Sequence, residues 1–258
     1  MIFYTKLKKL KNLNKRSFLR PSFTLIELII VIIIIGVLAY TLTFKFAPNN
    51  IQAAADKLIN DLRYTQSLAL KDDKYYPYPE NNSSIEQNRS KYWFKQWWQL
   101  RFKISHGNYL YSIFSDSPSE TISSNFNLQP SAREYAINPL SAKYASSVSS
   151  SGTYSYGDYN LSKYNIKLII RPNGNPYDST HTTPALVFMF DNYGNIFTDE
   201  GTNGDAGDIN PLDKNERPLV TNTINIKLCI DNPCNYSKER CVQINITPSG
   251  YIFKSNCQ

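Results

Sequence analysis

The chain is poor in the residue that most often carries acid–base catalysis. Its 258 residues include only two histidines, His106 and His181, and neither lies in a recognisable nucleophile context. The sequence contains no G-x-S-x-G nucleophile elbow and no H-E-x-x-H metal pair. These absences argue against a serine hydrolase and a zinc peptidase, so we predict that the chain is not an enzyme.

Acidic residues are missing from the first 22 residues. This segment carries a charge of +7, equal to the formal net charge of the whole chain, and the rest is formally neutral. The basic pI near 9.1 therefore reflects this segment and says little about nucleic-acid affinity. Its bases are Lys6, Lys8, Lys9, Lys11, Lys15, Arg16 and Arg20. Bases just before a membrane span hold that side in the cytoplasm, so we expect everything after Phe44 outside the inner membrane.

A long apolar run follows the basic segment and contains one acid. The 22 residues from Phe23 to Phe44 include Glu27 as the single acidic residue. As a helix they would rise about 33 Å, enough to cross a hydrocarbon core of about 30 Å. An ionised side chain inside such a helix is costly, so Glu27 is expected to have a function and a partner.

The segment SFTLIELIIVIIIIGVLA resembles the type IV prepilin signature, which pilins share with the pseudopilins of type II secretion and DNA-uptake (competence) machines. The resemblance implies that a prepilin peptidase cuts between Ser22 and Phe23 and methylates the new amino group of Phe23. It also implies that Glu27 pairs with the amino terminus of a neighbouring subunit in a filament. Ser22 departs from the glycine usual before the cut, although a small residue is retained.

Two other interpretations of the apolar run are a secretory signal and an uncleaved signal anchor. A secretory signal would have a shorter apolar core and an A-x-A cleavage site, which does not follow the run. An uncleaved signal anchor would cross the membrane with no role for Glu27. The functional alternative to a filament subunit is a membrane-anchored periplasmic binding protein or adhesin that does not polymerise.

A second helix is predicted after Pro48, which disfavours a helical conformation at Ala47. In residues 51–73, apolar and small side chains recur at three- and four-residue steps, which predicts one packing face. That face comprises Ile51, Ala55, Leu58, Leu62, Thr65 and Ala69. The segment AADKLINDLRYTQSLAL also resembles a helix of the minor, H-type pseudopilins, where it lies against a β-sheet.

The remaining chain predicts mostly β-structure, with strands at 109–114, 164–171, 185–191 and 223–230 and a final hairpin. We therefore expect an α+β fold, pilin-like, with a long N-terminal helix packed on an antiparallel sheet. The expected organisation is a leader (1–22), a transmembrane helix (23–48), an amphipathic helix (49–72) and a periplasmic β-rich domain (73–258). Residues 75–90 and 141–162 are predicted to be loops.

The segment KYWFKQWWQLRFKIS predicts a strand with one buried face, formed by Phe94, Trp98, Leu100, Phe102 and Ile104. The opposite face would mix rings with cations, which suits contact with single-stranded nucleic acid. The alternative is that Lys and Arg stems cover the rings on a solvated face. The residues predicted on this face are Trp93, Lys95, Trp97, Arg101 and Lys103.

All four cysteines lie in the last thirty residues, on the side predicted to be exported. A hairpin centred on Ser249 sets Cys241 opposite Cys257, which leaves Cys229 to pair with Cys234. A rival pairing joins Cys229 to Cys241. A zinc site is the third reading, but the cysteine spacings match no familiar finger.

The loop at residues 199–210 is rich in oxygen ligands of the kind calcium prefers, with Asp199, Glu200, Asp205 and Asp208 among glycines. Major pseudopilins bind calcium in a loop near their carboxyl end, so the resemblance makes these residues calcium candidates. The EF-hand pattern is not met, and a solvated acidic turn is the competing reading.

Three of six N-x-S/T sequons have an acid two residues upstream, at Asn82, Asn88 and Asn160. This extended pattern resembles the acceptor of bacterial oligosaccharyltransferases acting on periplasmic proteins. All three asparagines are expected in surface loops, as a bulky glycan requires. Coincidence in an Asn-rich chain is the alternative.

Overall fold

The computed structural model describes residues 24–45, 50–117, 134–147, 158–177, 186–198 and 219–258. The chain divides into two compact units, residues 1–48 and 49–258. The first contains helix α1, Leu25–Lys45, and the second contains the other elements. Within the second unit the fold is α+β with antiparallel sheets, which confirms the predicted class.

Helix α2, Asn50–Lys71, is amphipathic as the spacing predicts. All six positions of the predicted packing face are buried, and Ala54 and Ile59 are buried beside them. A short helix α3, Ser84–Lys91, follows within the segment predicted to be loop, so that prediction is wrong for its second half. Ser83 begins this helix, because its hydroxyl accepts a hydrogen bond from Glu86 N at 3.3 Å.

The β-structure forms two sheets rather than the single sheet expected. The first has the order β2-β1-β5-β6, with β1 at Trp98–Ser105, β2 at Asn108–Ser115, β5 at Val187–Phe190 and β6 at Ile196–Thr198. The second has the order β4-β3-β7-β8-β9, with β3 at Leu168–Ile170, β4 at Pro176–Tyr177, β7 at Ile224–Cys229, β8 at Cys241–Ile246 and β9 at Ile252–Asn256.

One apolar core joins α2 to both sheets. Leu58 and Leu62 of α2 share it with Phe102 of the first sheet and Ile244 of the second. The Tyr177 hydroxyl also links the sheets, because it donates a hydrogen bond to the backbone oxygen of Phe102 at 3.1 Å. The helix and the two sheets of the second unit therefore depend on each other for burial.

The strand predicted at residues 91–105 begins later than expected. Residues Trp93–Gln96 form a 3-10 turn, and β1 starts only at Trp98. From there Leu100 and Phe102 lie in the main core as predicted, but Gln99 on the opposite face is also buried, so the two faces do not divide cleanly into buried and exposed. Phe94 and Trp97 instead pack with Met189 and Phe197 in a second, smaller cluster.

Candidate assembly interface

Helix α1 presents apolar side chains on every side. Twelve large apolar residues between Leu25 and Leu38 are between 42% and 77% exposed. A helix of a water-soluble domain normally buries one stripe and leaves a polar face outward. The described part of α1 has no such division, so all of its apolar surface is available to an apolar environment or to other helices.

Glu27 closes the first turn of α1 through a reciprocal cap with Thr24. One carboxylate oxygen, Oε2, accepts hydrogen bonds from Thr24 N at 2.8 Å and from Thr24 Oγ1 at 3.0 Å. In return, Glu27 N donates to Thr24 Oγ1 at 3.3 Å. This is the capping box that the pattern T-x-x-E specifies, and that pattern at residues 24–27 is the sequence signal from which Thr24 can be identified.

The cleavage site predicted between Ser22 and Phe23 lies outside the described residues. Within the described ranges, no helix combines the length and the apolar character that a membrane crossing requires. The predicted span begins at Phe23, and the side chains of α1 are described only as far as Leu38.

A polar network fixes α2 on the first sheet. The Tyr111 hydroxyl of β2 donates to Asp61 Oδ2 of α2 at 2.5 Å, and Lys57 Nζ lies 2.8 Å from the same oxygen. The Lys57 ammonium also lies 4.5 Å from the centre of the Tyr159 ring. Burial, reinforced by the Asp61 carboxylate, raises the pKa of Tyr111 well above its ordinary value. Tyr111 is fifty residues from Asp61 in the chain, so nothing in the local sequence of α2 indicates this partner.

Gln66 joins the far end of α2 to one turn of each sheet. Its amide nitrogen donates to the backbone oxygens of Gly194 and Gly250, each at 3.2 Å. Gly194 lies in the β5–β6 turn and Gly250 in the β8–β9 turn, with φ of +82° and +76°. Only glycine adopts such values without strain, and a Cβ at Gly250 would lie 2.5 Å from Gly194 O.

The disulfides of the second sheet are Cys229–Cys234 and Cys241–Cys257. These are the two pairs preferred in the sequence analysis over the rival Cys229–Cys241. Cys229 and Cys241 do face each other across β7 and β8, with their sulfur atoms 3.8 Å apart. The observed pairing uses the four sulfur atoms that a zinc site would need.

The aromatic and basic face predicted for nucleic acid is only partly a surface. Trp97 is 6% exposed and packs on Phe197 with ring centroids 4.7 Å apart, so its ring is not available for stacking. Lys95 covers the ring of Tyr92 at 5.0 Å. Of the predicted cations on β1, Lys103 is exposed and Arg101 is half-buried. Because Trp97 is buried, it offers no exposed ring on which a base could stack. Contact of this face with nucleic acid stays a prediction.

The three extended sequons lie in different environments. Asn82 is exposed in the loop before α3, whereas Asn88 lies within α3. Asn160 is 3% exposed and begins a 3-10 turn at Leu161–Tyr164, where its side chain accepts a hydrogen bond from Ser162 N. The predicted loop is therefore wrong for Asn88, which lies in a helix, and the predicted surface position is wrong for Asn160, whose side chain is buried as the cap of a 3-10 turn.

The calcium candidates and the two histidines complete the residues singled out in the sequence, and none of them forms a site within the residues that the structure describes. Asp199, Asp205 and Asp208, proposed as calcium ligands, lie outside the described residues, as does His181. His106 occupies the β1–β2 turn with φ of +50°, and its Nδ1 lies 3.0 Å from Ser105 Oγ. This is the role of a turn residue, which needs no catalytic explanation.

Known proteins were compared with the chain by family model, by sequence and by structure. No protein-family model, no curated protein and no solved structure matches the chain significantly.

Proposed function

We propose that the chain is a structural subunit of a filament, a minor pilin or pseudopilin of a type II secretion, type IV pilus or DNA-uptake machine. In this proposal a prepilin peptidase removes residues 1–22 and methylates Phe23. The subunit then joins other pilins or pseudopilins through its N-terminal helix. The fold is pilin-like in the sense that the amphipathic α2 packs on antiparallel sheets while the preceding apolar segment serves assembly.

The observation that carries the proposal is the apolar surface of α1 with its single carboxylate. Burying each large aliphatic side chain is worth about 1.5–3 kcal/mol, and twelve of them are exposed between Leu25 and Leu38. Such a helix is stable only where lipid or other helices cover it. A bundle of apolar helices from neighbouring subunits in a filament core supplies that cover and places the lone acid beside a neighbour.

The geometry of Glu27 is compatible with a second partner. The cap with Thr24 uses Oε2, while Oε1 accepts no hydrogen bond among the described residues. A positive amino terminus at Phe23 of a neighbouring subunit would bind this oxygen and relieve the cost of burying the charge. The same contact would fix the axial register between subunits, which is a well-attested use of buried polar groups.

The proposed location is the bacterial inner membrane, crossed once, with the N-terminus in the cytoplasm and the globular unit in the periplasm. Two features support it. The first is the +7 charge before the apolar run. The second is the pair of disulfides, which persist in oxidising compartments such as the periplasm.

The test separates the two roles of Glu27. Glu27→Gln keeps an oxygen acceptor for Thr24 but removes the charge, whereas Thr24→Val removes the capping hydroxyl and keeps the charge. Both variants are expressed in cells lacking the wild-type chain, and the sheared filament and membrane fractions are probed for the protein. We expect Glu27→Gln in the membrane but not in filaments, and Thr24→Val in both.

Normal incorporation of Glu27→Gln into filaments would remove the pairing role. Loss of assembly in Thr24→Val alone would assign Glu27 to the helix cap, where loss of the hydroxyl costs about 1 kcal/mol. A wild-type chain found only in the membrane would favour the anchored binding protein or adhesin instead.

A further inference from the structure

The N-x-S/T sequons of this chain differ in whether the fold already uses the asparagine side chain in a hydrogen bond. At Asn81, Asn160 and Asn235, the asparagine oxygen accepts a hydrogen bond from the backbone nitrogen two residues later, at 2.8–3.1 Å. At Asn245, the oxygen accepts from Gln243 and the nitrogen donates to Ser255, both at 2.8 Å. These amides are held by the fold.

Asn82 differs from all four. Its side chain is exposed and makes no hydrogen bond among the described residues. The hydroxyl of Ser84, the third residue of the sequon, is also exposed and without a partner in the described part of the chain. The same holds for the carboxylate of Glu80, two residues upstream, whose backbone nitrogen alone is used, as a donor to Tyr76.

In each of the other two acid-containing sequons, two of these three groups are occupied. Around Asn88, the Glu86 carboxylate accepts from the Tyr76 hydroxyl at 2.6 Å, and the Ser90 hydroxyl donates to Pro77 O at 2.7 Å. Around Asn160, the Ser162 hydroxyl accepts from Tyr109 N at 2.9 Å. Asn160 itself pairs with Leu110 in an isolated β-bridge. Among the side chains that the structure describes, the sequon of Asn82 is the one whose three groups are all open.

We infer that Asn82 is a carbohydrate acceptor, selected by the fold from six sequons and modified with an oligosaccharide carried on a polyprenyl diphosphate. In the transfer, Nδ2 of Asn82 forms a bond to the anomeric carbon of the first sugar and releases one proton to solvent. The bond from that carbon to the phosphate oxygen breaks, and the lipid diphosphate leaves with the electron pair. No oxidation or reduction takes place.

The surroundings of Asn82 suit a bulky hydrophilic group. The loop lies beyond the C-terminal end of α2, whose 22 residues rise about 33 Å from Asn50. Residues 78–84 are exposed without interruption. Because a glycan there displaces no packed side chain, its attachment leaves the core of the second unit unchanged.

The inference rests on the proposed export of this unit but not on filament assembly. The protein is therefore purified from membranes of the bacterium that encodes it, and its intact mass is measured. Loss of residues 1–22 and formation of both disulfides in that mass report export and processing independently of any sugar. Added mass in steps of monosaccharide residues reports the glycan.

Site assignment uses variants, because Asn81, Asn82 and Asn88 share the tryptic peptide 75–89. We expect Asn82→Gln and Ser84→Ala to lose the added mass completely and Glu80→Gln to lower the modified fraction. Asn81→Gln and Asn88→Gln are the matched controls and should keep it. The peptide 144–163, which contains Asn160, should be unmodified.

Thermal unfolding of each variant confirms that the fold is retained. An exported, disulfide-bonded protein with no added mass at Asn82 would overturn the inference and leave the proposed filament role intact. Equal modification of Asn160 would overturn the claim that the fold selects the acceptor.

Discussion

Helices α1 and α2 follow one another in the chain and have nearly the same length, 21 and 22 residues. In α2, eight residues are buried on one face against two sheets. In α1, the described apolar residues are exposed on all sides. The difference is one of burial: the apolar face of α2 is packed inside the second unit, whereas the described apolar side chains of α1 are exposed. In the proposed function, lipid or neighbouring subunits cover that exposed surface.

The largest expected effect contrasts one residue from each helix. Leu58→Ala empties a fully buried site between α2 and the sheets and should lower the free energy of unfolding by about 2–5 kcal/mol. Ile33→Ala in α1 should leave that free energy unchanged, because Ile33 belongs to the first unit and its side chain is 59% exposed. Urea unfolding of the full chain in detergent micelles, followed by near-ultraviolet circular dichroism, measures both. Equal losses of unfolding free energy in the two variants would mean that α1 unfolds cooperatively with the second unit.

The second effect concerns the disulfides of the second sheet, whose strands β8 and β9 pack against α2. Cys241–Cys257 closes a loop of 16 residues across these strands, and Cys229–Cys234 closes one of five. Loop-closure entropy then predicts losses of about 3 kcal/mol and about 2 kcal/mol when each pair is changed to alanine. The same unfolding experiment ranks the two double variants. The reverse order would show that strain or packing outweighs loop length.

The amphipathic helix and the final hairpin are the parts that the sequence predicts best. The face of α2 repeats locally, so six positions could be named without knowing the sheets. The hairpin depends on a short turn, and its register, with Ile246 opposite Ile252, follows from that turn. Both features are determined by residues close together in the chain.

The division into two sheets could not be predicted, because it depends on distant pairings. Strand β1 pairs with β5, with Trp98 opposite Phe190, and nothing in either segment specifies the other. The alternation of rings also runs through residues 93–97 without a local signal that a 3-10 turn replaces the strand. For the candidate site, the sequence points to Glu27 because it is the single acid in the apolar run, and its role stays a prediction. The contact between Asp61 and Tyr111 joins separate elements and has no local signal in the sequence.

The third effect tests the junction at the C-terminal end of α2. Gly250→Ala forces an alanine into a left-handed conformation, at about 1–2 kcal/mol, and places its Cβ against Gly194 O. Gly174→Ala meets the same backbone restriction at φ of +84°, but a Cβ there would have no neighbour within 4 Å. Thermal unfolding should therefore show a larger loss for Gly250→Ala. Equal losses would argue that the turn moves away from Gln66 at little cost.

The smallest effect concerns the polar contact between α2 and β2. Tyr111→Phe removes the hydrogen bond to Asp61 and should cost about 1.5 kcal/mol at neutral pH. Equilibrium unfolding in urea measures this loss. Unchanged stability would mean that Lys57 alone is sufficient to hold Asp61.

The same buried tyrosines predict sensitivity to alkali. Burial raises the pKa of Tyr177 to about 12, and burial with the Asp61 carboxylate raises the pKa of Tyr111 well above its ordinary value. Unfolded tyrosine ionises near pH 10, so above that value the unfolded state releases protons first and stability falls. Below about pH 10 this contribution is fully present. Absorbance of tyrosinate during a pH titration should rise together with unfolding, and Tyr111→Phe should make the loss less steep.

The proposed assembly into filaments is tested most directly by the amino-terminal sequence and intact mass of the protein. Both are measured on protein recovered from sheared filaments and from inner membranes. The proposed function predicts a chain in the filament fraction that begins at methylated Phe23, with Glu27 as its fifth residue. A chain that begins at Met1 and is confined to the membrane would contradict it. In that case α1 would serve as an anchor, and its apolar surface would be covered by lipid alone.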